Sequence, residues 1–377
     1  MKKFLLAAMA SMLCMLSPGQ KNLPTIKASS VSVDIREGDQ LNRNGWTISP
    51  QIQPDIHFTS AVGKRITFIT DKDSISVVLT KTTKFDFIIL LNDTTKALTE
   101  IAYKPSYLDV LKSAGSYNKN DHRDIPAFTY QSKDDRNLQS LRKGFNLDSI
   151  AGGGTDVSRI LRLMHWVHDL IPHDGQHENP TVKNAMSMIA ECKKGNRGLN
   201  CRGLATVLNE CYLSLGIPSR FVTCMPQDSV FDDCHVINLV YSTDLKKWLW
   251  VDPTNDAYVM NEKGELLDIR EVRERLVDGK PLLLNPEANW NHKQTQSKQY
   301  YLEYYMAKNL FRLQCPTDSK YDYETWQQGK TVTYVELLPL NTFGQSPQKE
   351  THTNAKTGTT FINYKTNNPD LFWQTPK

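Results

Sequence analysis

Cysteine is a nucleophile only as its thiolate, and three residues of this chain have the types and spacing to make and use one. Cys201 follows a small, polar run at residues 195–200. It precedes Leu204, Leu208, Cys211 and Leu215, which share one face at helical spacing. The cysteine therefore opens a predicted helix. Unpaired N–H groups and the positive end of the dipole there lower a thiol pKa, and they can hold an oxyanion on an attacked acyl carbon. A thiolate needs a base, and the base needs an orienting acceptor. His235 opens one predicted strand and Asp252 closes the next. The midpoint of their numbers falls between Thr243 and Asp244, inside the polar turn at 242–247. An antiparallel pair centred there puts the two directly opposite on one face. The carboxylate can then accept from one ring nitrogen while the other faces the cysteine.

The elements that must hold these residues are legible around them. Gly216 and Pro218 end the Cys201 helix. Residues 220–225, 235–241 and 248–252 read as strands, and 236–241 is apolar at nearly every position, as in a strand buried on both faces. Upstream, Ile160, Leu163, Met164, Val167 and Ile171 make one helical stripe, capped by Thr155 or Asp156 and stopped by Pro172. Residues 65–70, 74–79 and 84–91 alternate as strands; the last of these faintly resembles a small β-module of secreted bacterial proteins. Residues 116–135 are polar and linker-like, 300–313 are aromatic and helix-like, and 331–338 read as a strand. Residues 345–359 are polar and expected to be mobile, while 361–373 regain aromatic character that can dock back on the body. The expected organisation is a signal peptide (1–19), a β-rich domain (20–115), a connecting segment (116–150), a catalytic core (151–290) and a C-terminal extension (291–377).

Read together, Asn200-Cys201-Arg202-Gly203-Leu204-Ala205, Gly216-Ile217-Pro218-Ser219-Arg220, Cys234-His235-Val236 and Trp250-Val251-Asp252-Pro253-Thr254 resemble the core of the transglutaminase-like superfamily, over residues 158–258. The resemblance implies an α+β, papain-like fold in which a helix opened by the nucleophile packs on an antiparallel sheet; here a small β-sandwich-like domain precedes it. It implies Cys201 as nucleophile, His235 as base and Asp252 as orienting acid. Family members often carry an aromatic just after the histidine, and Val236-Ile237-Asn238 carry none. The implied reaction is acyl transfer through a thioester, with water as acceptor, on a peptide or protein amide. Transamidation to an amine is the alternative within enzymes. A non-catalytic binding module is the alternative outside them, although such a module has no need of all three residues. No cofactor is expected.

Other candidate chemistry is weaker. His165, His168, His173 and His177 have three- and four-residue intervals that suit metal ligands, yet Pro172 breaks the helix among them and no HExxH is present. They are expected to be solvated histidines, and no metal site is expected. Trp248 and Trp250 read as strand packing. Cys211 lies on the apolar helix face, and Cys224 and Cys234 are either a disulfide pair or two free thiols. No CxxC spacing supports zinc.

The 377 residues, 39% hydrophobic and 23% charged, have room for two or three domains. Net charge is +4 with no basic cluster, so a nucleic-acid partner is not expected. Lys2 and Lys3 precede an uncharged stretch at 4–16, closed by Ser17-Pro18-Gly19-Gln20, the pattern of an export signal. That stretch is too short to span a bilayer, so stable membrane insertion is not expected. A periplasmic, cell-surface or secreted protein is, with lipidation of Cys14 the lesser option because Ser11-Met12-Leu13 are poor processing residues.

Overall fold

The computed structural model describes residues 23–228 and 233–376, so the signal segment and Cys14 lie outside the described residues. The chain divides after Ser106 into two compact units.

The first unit is built from two four-stranded sheets around one core. Strands Thr25–Ala28, Lys84–Leu91, Thr95–Tyr103 and Asp55–Thr59 form one sheet; Gln40–Thr47, Ser32–Glu37, Arg65–Ile69 and Ser74–Val78 form the other. Period-two alternation sends Phe87 and Ile89 from the first sheet, and Val33, Ile35, Ile66 and Phe68 from the second, into a shared interior. Phe68 and Phe87 meet edge to face at 5.4 Å. This is the expected β-sandwich, and the three strands read from the sequence lie in it.

The second unit centres on a seven-stranded sheet. Its order is Lys247–Val251, His235–Ser242, Ser219–Met225, Arg312–Pro316, Thr331–Leu337, Thr360–Thr366, Lys349–Thr353. Only Thr331–Leu337 and Thr360–Thr366 run parallel. On one face lie helices Asp156–Leu170, Ala185–Gly195 and Cys201–Ser214; on the other lie Ile269–Asp278 and the π-helical turn Gln299–Met306. The result is the α+β, papain-like arrangement of a cysteine-bearing helix on an antiparallel sheet.

The Cys201 helix runs through the interior, with every residue from Gly203 to Ser214 buried. Its polar side chains are accordingly satisfied, as burial requires. Asn209 donates to Ser319 Oγ at 2.8 Å, and Glu210 accepts from the N–H groups of Ala185 (2.7 Å) and Asp322 (2.9 Å). Gly216, at φ +75°, makes the left-handed exit.

Three segments differ from the sequence expectations. Residues 136–151 hold two short helices, the first capped by Asp135, whose carboxylate accepts from Asn137 and Leu138 N–H. Only Leu138 and Leu141 of that first helix are buried, so its composition reads as polar. Beyond 290 the chain completes the core sheet: Arg312–Pro316 pairs with Ser219–Met225, whose edge would otherwise be bare. Within 345–359, Lys349–Thr353 pairs antiparallel with Thr360–Thr366, giving its polar backbone a ladder that its side chains do not announce.

Candidate active site

Two asparagines and two glycines set the cysteine. Asn200 caps the helix: its Oδ1 accepts from Gly203 N–H (3.2 Å) and from Asn179 Nδ2 (2.7 Å), and its own N–H donates to Asn179 Oδ1 at 3.0 Å. A Cβ on Gly203 would sit 2.6 Å from that Asn179 oxygen. The preceding backbone pairs with residues 172–174, Leu199 N–H donating to Pro172 O (3.1 Å) and Asp174 N–H to Leu199 O (2.7 Å). A Cβ on Gly198 would lie 2.3 Å from Pro172 O, so only glycine admits this approach. The consequence is chemical, because the pairing brings His173 to Cys201.

His235 and Asp252 arrive from the sheet. His235 Nε2 is 2.8 Å from Asp252 Oδ2, and both residues are buried. The ladder runs from Asn238↔Val251 to Ser242↔Lys247, a register two residues away from the expected one. Thr243 to Lys246 form the turn, with Lys246 at φ +53°. The two residues are therefore diagonal rather than opposite; a shift of two keeps both on one face, so the contact survives. Val236 points to the opposite face, where it packs with Ala205, Phe221 and Cys201. The three residues thus close around the end of the sheet.

Cys201 Sγ sits against two imidazoles. Burial alone raises its pKa, but hydrogen bonding to His173 and His235 brings the thiol down to about 6. Each of the other five described cysteines is pushed up by burial. Burial also opposes charge on His235, yet the Asp252 carboxylate and Cys201 raise it to about 10. Asp252 loses to burial and gains more from His235, Tyr301 and Asn255, so its carboxyl stays below the usual range. His235 Nδ1 is buried without a hydrogen-bond partner, which leaves it available to the Cys201 thiol.

The support reaches far along the chain. Tyr301 OH donates to Asp252 Oδ2 at 2.6 Å and accepts from Trp250 Nε1 at 3.2 Å. Asn255 Nδ2 donates to the same oxygen at 3.0 Å, and Thr254 N–H to Oδ1 at 2.9 Å. Tyr305, from a distant segment, lies with its ring 5.2 Å from that of His235. Beside the three residues is a cavity of about 290 Å³, lined by His173, Asn255, Trp290, Gln296, Tyr301 and Tyr305 among others.

Residues 144–253 match the family model of the transglutaminase-like superfamily, and the Cys201 helix with the His235 and Asp252 strands falls within that span. The chain carries a transglutaminase-like core. No curated protein matches it. Among solved structures, a candidate cysteine protease from Cytophaga hutchinsonii is 16% identical, covering 34% of this chain and 40% of that one at a TM-score of 0.25. A protein described as a TGase is 18% identical over 31% of each chain, with a TM-score of 0.23. Red sea bream transglutaminase is 11% identical over 66% of this chain and 52% of its own, also at 0.23. The aligned region is thus less than half of the first two, and these TM-scores add nothing to the family match.

The other histidines near this core scatter. His165 Nδ1 is 2.5 Å from Asp256 Oδ1, and the exposed His177 pairs with Asp174 at 2.7 Å. His168 bonds to Pro253 and Asn289, and His173 turns to Cys201. The four do not converge on one point because Pro172 separates the last two from the helix. His173 is the functional contact that spacing missed; nothing in its local sequence distinguishes it from its neighbours. Tyr301, Tyr305 and Asn255 likewise carry no motif. Cys224 pairs opposite His235, so Cys234 alternates to the other face and both thiols are free. Trp248 and Trp250 are core residues, although the Trp250 indole also steadies Tyr301.

Proposed function

We propose that this protein is a cysteine acyl-transfer enzyme that hydrolyses an amide bond in a peptide or protein substrate, with Cys201, His235 and Asp252 as its catalytic residues. The observation that carries the reading is the arrangement itself: Cys201 opens a buried helix beside His235, whose Nε2 lies 2.8 Å from Asp252 Oδ2, and the two neighbouring imidazoles pull the thiol pKa down.

In this reading the thiolate attacks the carbonyl carbon and the carbonyl π electrons move to oxygen. The N–H groups of Cys201 and Arg202 lie in the first helical turn, where no carbonyl one turn back engages them, and they face that oxyanion. As the tetrahedral intermediate collapses, the C–N bond breaks and His235 Nδ1–H protonates the departing amine. A thioester remains on Cys201. Water then gives its proton to His235 and its oxygen to the acyl carbon, releasing the acid and the thiolate. Asp252 holds Nε2–H throughout and offsets the imidazolium charge.

Water is the proposed acceptor because polar groups, Asn255 and Gln296 among them, line the cavity beside the cysteine. Trp290, Tyr301 and Tyr305 on the same cavity favour the second reading, transfer to a primary amine. The deciding measurement is product partitioning with a fluorogenic acyl donor and a millimolar-scale primary amine. Dominance of the amine adduct at modest amine concentration would replace hydrolysis by transamidation. Loss of all turnover in Cys201→Ala is expected, and retention of turnover would remove the catalytic reading. The proposed location is outside the cytoplasm. N-terminal sequencing of protein from the native host should find a start between Ser17 and Asn22, and an intact Met1 in cytosol overturns export.

A further inference from the structure

His168 is 4% exposed and ends the helix Asp156–Leu170 close to Asp252. Its Nδ1 is 3.0 Å from the carbonyl oxygen of Pro253, which has only lone pairs to offer, so the ring must donate there. In the neutral imidazole this leaves a lone pair on Nε2. That atom is 3.0 Å from Asn289 Oδ1. The amide cannot reverse to present its NH₂, because Nδ2 donates to Glu287 O at 3.0 Å and Oδ1 already accepts from His292 N–H at 2.7 Å. Two electron-pair donors therefore face each other at the distance of a hydrogen bond. Something positive belongs between them.

Two further donors surround the same point. The His292 ring is 4.7 Å from that of His168, and its Nε2 is 3.2 Å from Asp169 Oδ1. One ligand atom from each of His168, Asp169 and His292 lies within 4.8 Å of the others. Neighbouring ligands on a tetrahedral zinc ion, bound at about 2.0–2.2 Å, are separated by roughly 3.3 Å. These separations are within a small side-chain movement of that value.

We propose that His168, Asp169, His292 and the Asn289 side-chain oxygen form a binding site for one divalent transition-metal ion of the zinc class. Two imidazoles with two oxygens are a borderline donor set, which suits Zn²⁺ or Co²⁺ and not the hard, all-oxygen preference of Ca²⁺ or Mg²⁺. The His168 Nδ1–H bond to a backbone carbonyl is the outer support that ligand histidines have; it fixes the tautomer and aims Nε2. The spacing of His165, His168, His173 and His177 could not reveal this site, because two of its ligands, Asn289 and His292, come from a hairpin some 120 residues downstream.

The ion would act as a clamp. Asn289 and His292 belong to the hairpin of Asn289–Trp290 with Gln294–Thr295, whose turn passes through Asn291 and His292 at positive φ. Trp290 in that hairpin donates its indole N–H to His173 Nδ1 at 3.0 Å, and His173 touches Cys201. Metal at His168 would tie the hairpin to the helix and steady Trp290 over the cavity. Binding itself does not depend on what reaction Cys201 performs.

The test uses full-chain protein carrying Cys201→Ser, which removes the competing thiolate, stripped with chelator and then titrated. Zn²⁺ by calorimetry should give one equivalent, and Co²⁺ should show the intense visible bands of a four-coordinate N/O site. His292→Ala removes a ligand and should weaken binding by about a hundredfold or more, at or beyond the 10–100-fold that loss of an outer-shell partner costs. Asp169→Asn should weaken it less. Both residues are exposed, so the fold stays intact and circular dichroism should confirm it. Hydrogen exchange across residues 289–295 should slow on adding Zn²⁺. Absence of a stoichiometric site, or a site unaffected by His292→Ala, overturns the proposal.

Discussion

His235 and Asp252 meet at 2.8 Å without being partners in the hairpin that carries them. The ladder between their two strands stops at Asn238↔Val251; beyond it His235 stays paired with Cys224 on its other side and Asp252 bridges to Ala257, so the two residues approach diagonally. His235 Nδ1 is buried and engaged by no hydrogen bond within the sheet. The diagonal approach lets Thr254 and Asn255, in the turn just past Asp252, close on the carboxylate. A register slip of one residue would have sent Asp252 to the other face; a slip of two does not.

Removing His235 and altering Asp252 should therefore have unequal effects. His235→Ala should lower kcat/KM by about 10³-fold or more, since the proton donor and acceptor are both lost. Asp252→Asn keeps the shape but loses the charge that holds the imidazolium, and should leave measurable turnover. Steady-state kinetics on one acyl substrate decide this. Near-wild-type rates in both variants would remove the proposed catalytic roles.

The order of cysteine, histidine and aspartate, and the elements bearing them, could be read from residues alone because each sits at a local signal. Cys201 lies at a helix start with a capping Asn200, and the strands flank a polar turn. Periodicity also fixed the face shared by His235 and Asp252. The exact register escaped because it depends on how Thr243 to Lys246 turn, which midpoint counting ignores. His173, Tyr301 and Trp290 escaped for another reason. Each reaches the site through long-range packing, and its own neighbourhood reads as an ordinary loop or an aromatic helix.

Thiol reactivity should follow the two shifted groups. Cys201 is lowered to about 6 and His235 raised to about 10, so the thiolate–imidazolium pair is the main form between those values. Alkylation of Cys201 should speed up as pH rises through about 6. Turnover, which also needs the proton on His235, should rise there and fall again approaching pH 10, giving a bell. Stopped-flow alkylation with mass-spectrometric site mapping measures the first limb. Preferential labelling of Cys234 or Cys192 would contradict it.

Tyr301→Phe should weaken catalysis and the fold together. Its hydroxyl gives Asp252 a 2.6 Å bond to a buried charge, and its loss also strands the Trp250 indole. Hydrogen bonds to charged groups contribute about 1.5–3 kcal/mol. A loss of that size should appear in urea unfolding, with kcat down roughly tenfold or more as the Asp252 carboxylate loosens its hold on His235. Unchanged kcat in a destabilised variant would show that Tyr301 only packs.

Trp290→Phe tests the second imidazole. An indole N–H can only donate, so His173 Nδ1 is the acceptor and its Nε2–H is left to face Cys201. Phenylalanine keeps the wall of the cavity but releases the tautomer. The alkylation midpoint of Cys201 should move upward, toward that of His173→Ala, with KM changed less than kcat. A midpoint unmoved in both variants would mean that His173 does not tune the thiol.

Gly198→Ala probes the backbone contact on which the His173–Cys201 approach depends. Gly198 has no need of a left-handed conformation; its constraint is space, since an added Cβ would lie 2.3 Å from Pro172 O and 2.8 Å from Asp174 Cβ. Pro172 fixes its own φ and cannot easily yield, and its carbonyl is held by Leu199 N–H. Separation of the two segments is the remaining way to relieve the clash. It breaks the bonds of Leu199 to Pro172 and Asp174, and it carries His173 away from the thiol. Overpacking of this kind costs about 1–3 kcal/mol, which a unit of this size should survive folded. The variant should keep its circular dichroism, unfold at lower urea, and show a Cys201 alkylation midpoint shifted upward as in His173→Ala. The double variant should then add little to either single change in that midpoint, because both act through the same lost contact. Full additivity of the two shifts would place the effect of Gly198 elsewhere, in the helix start at Asn200 and not in the delivery of His173.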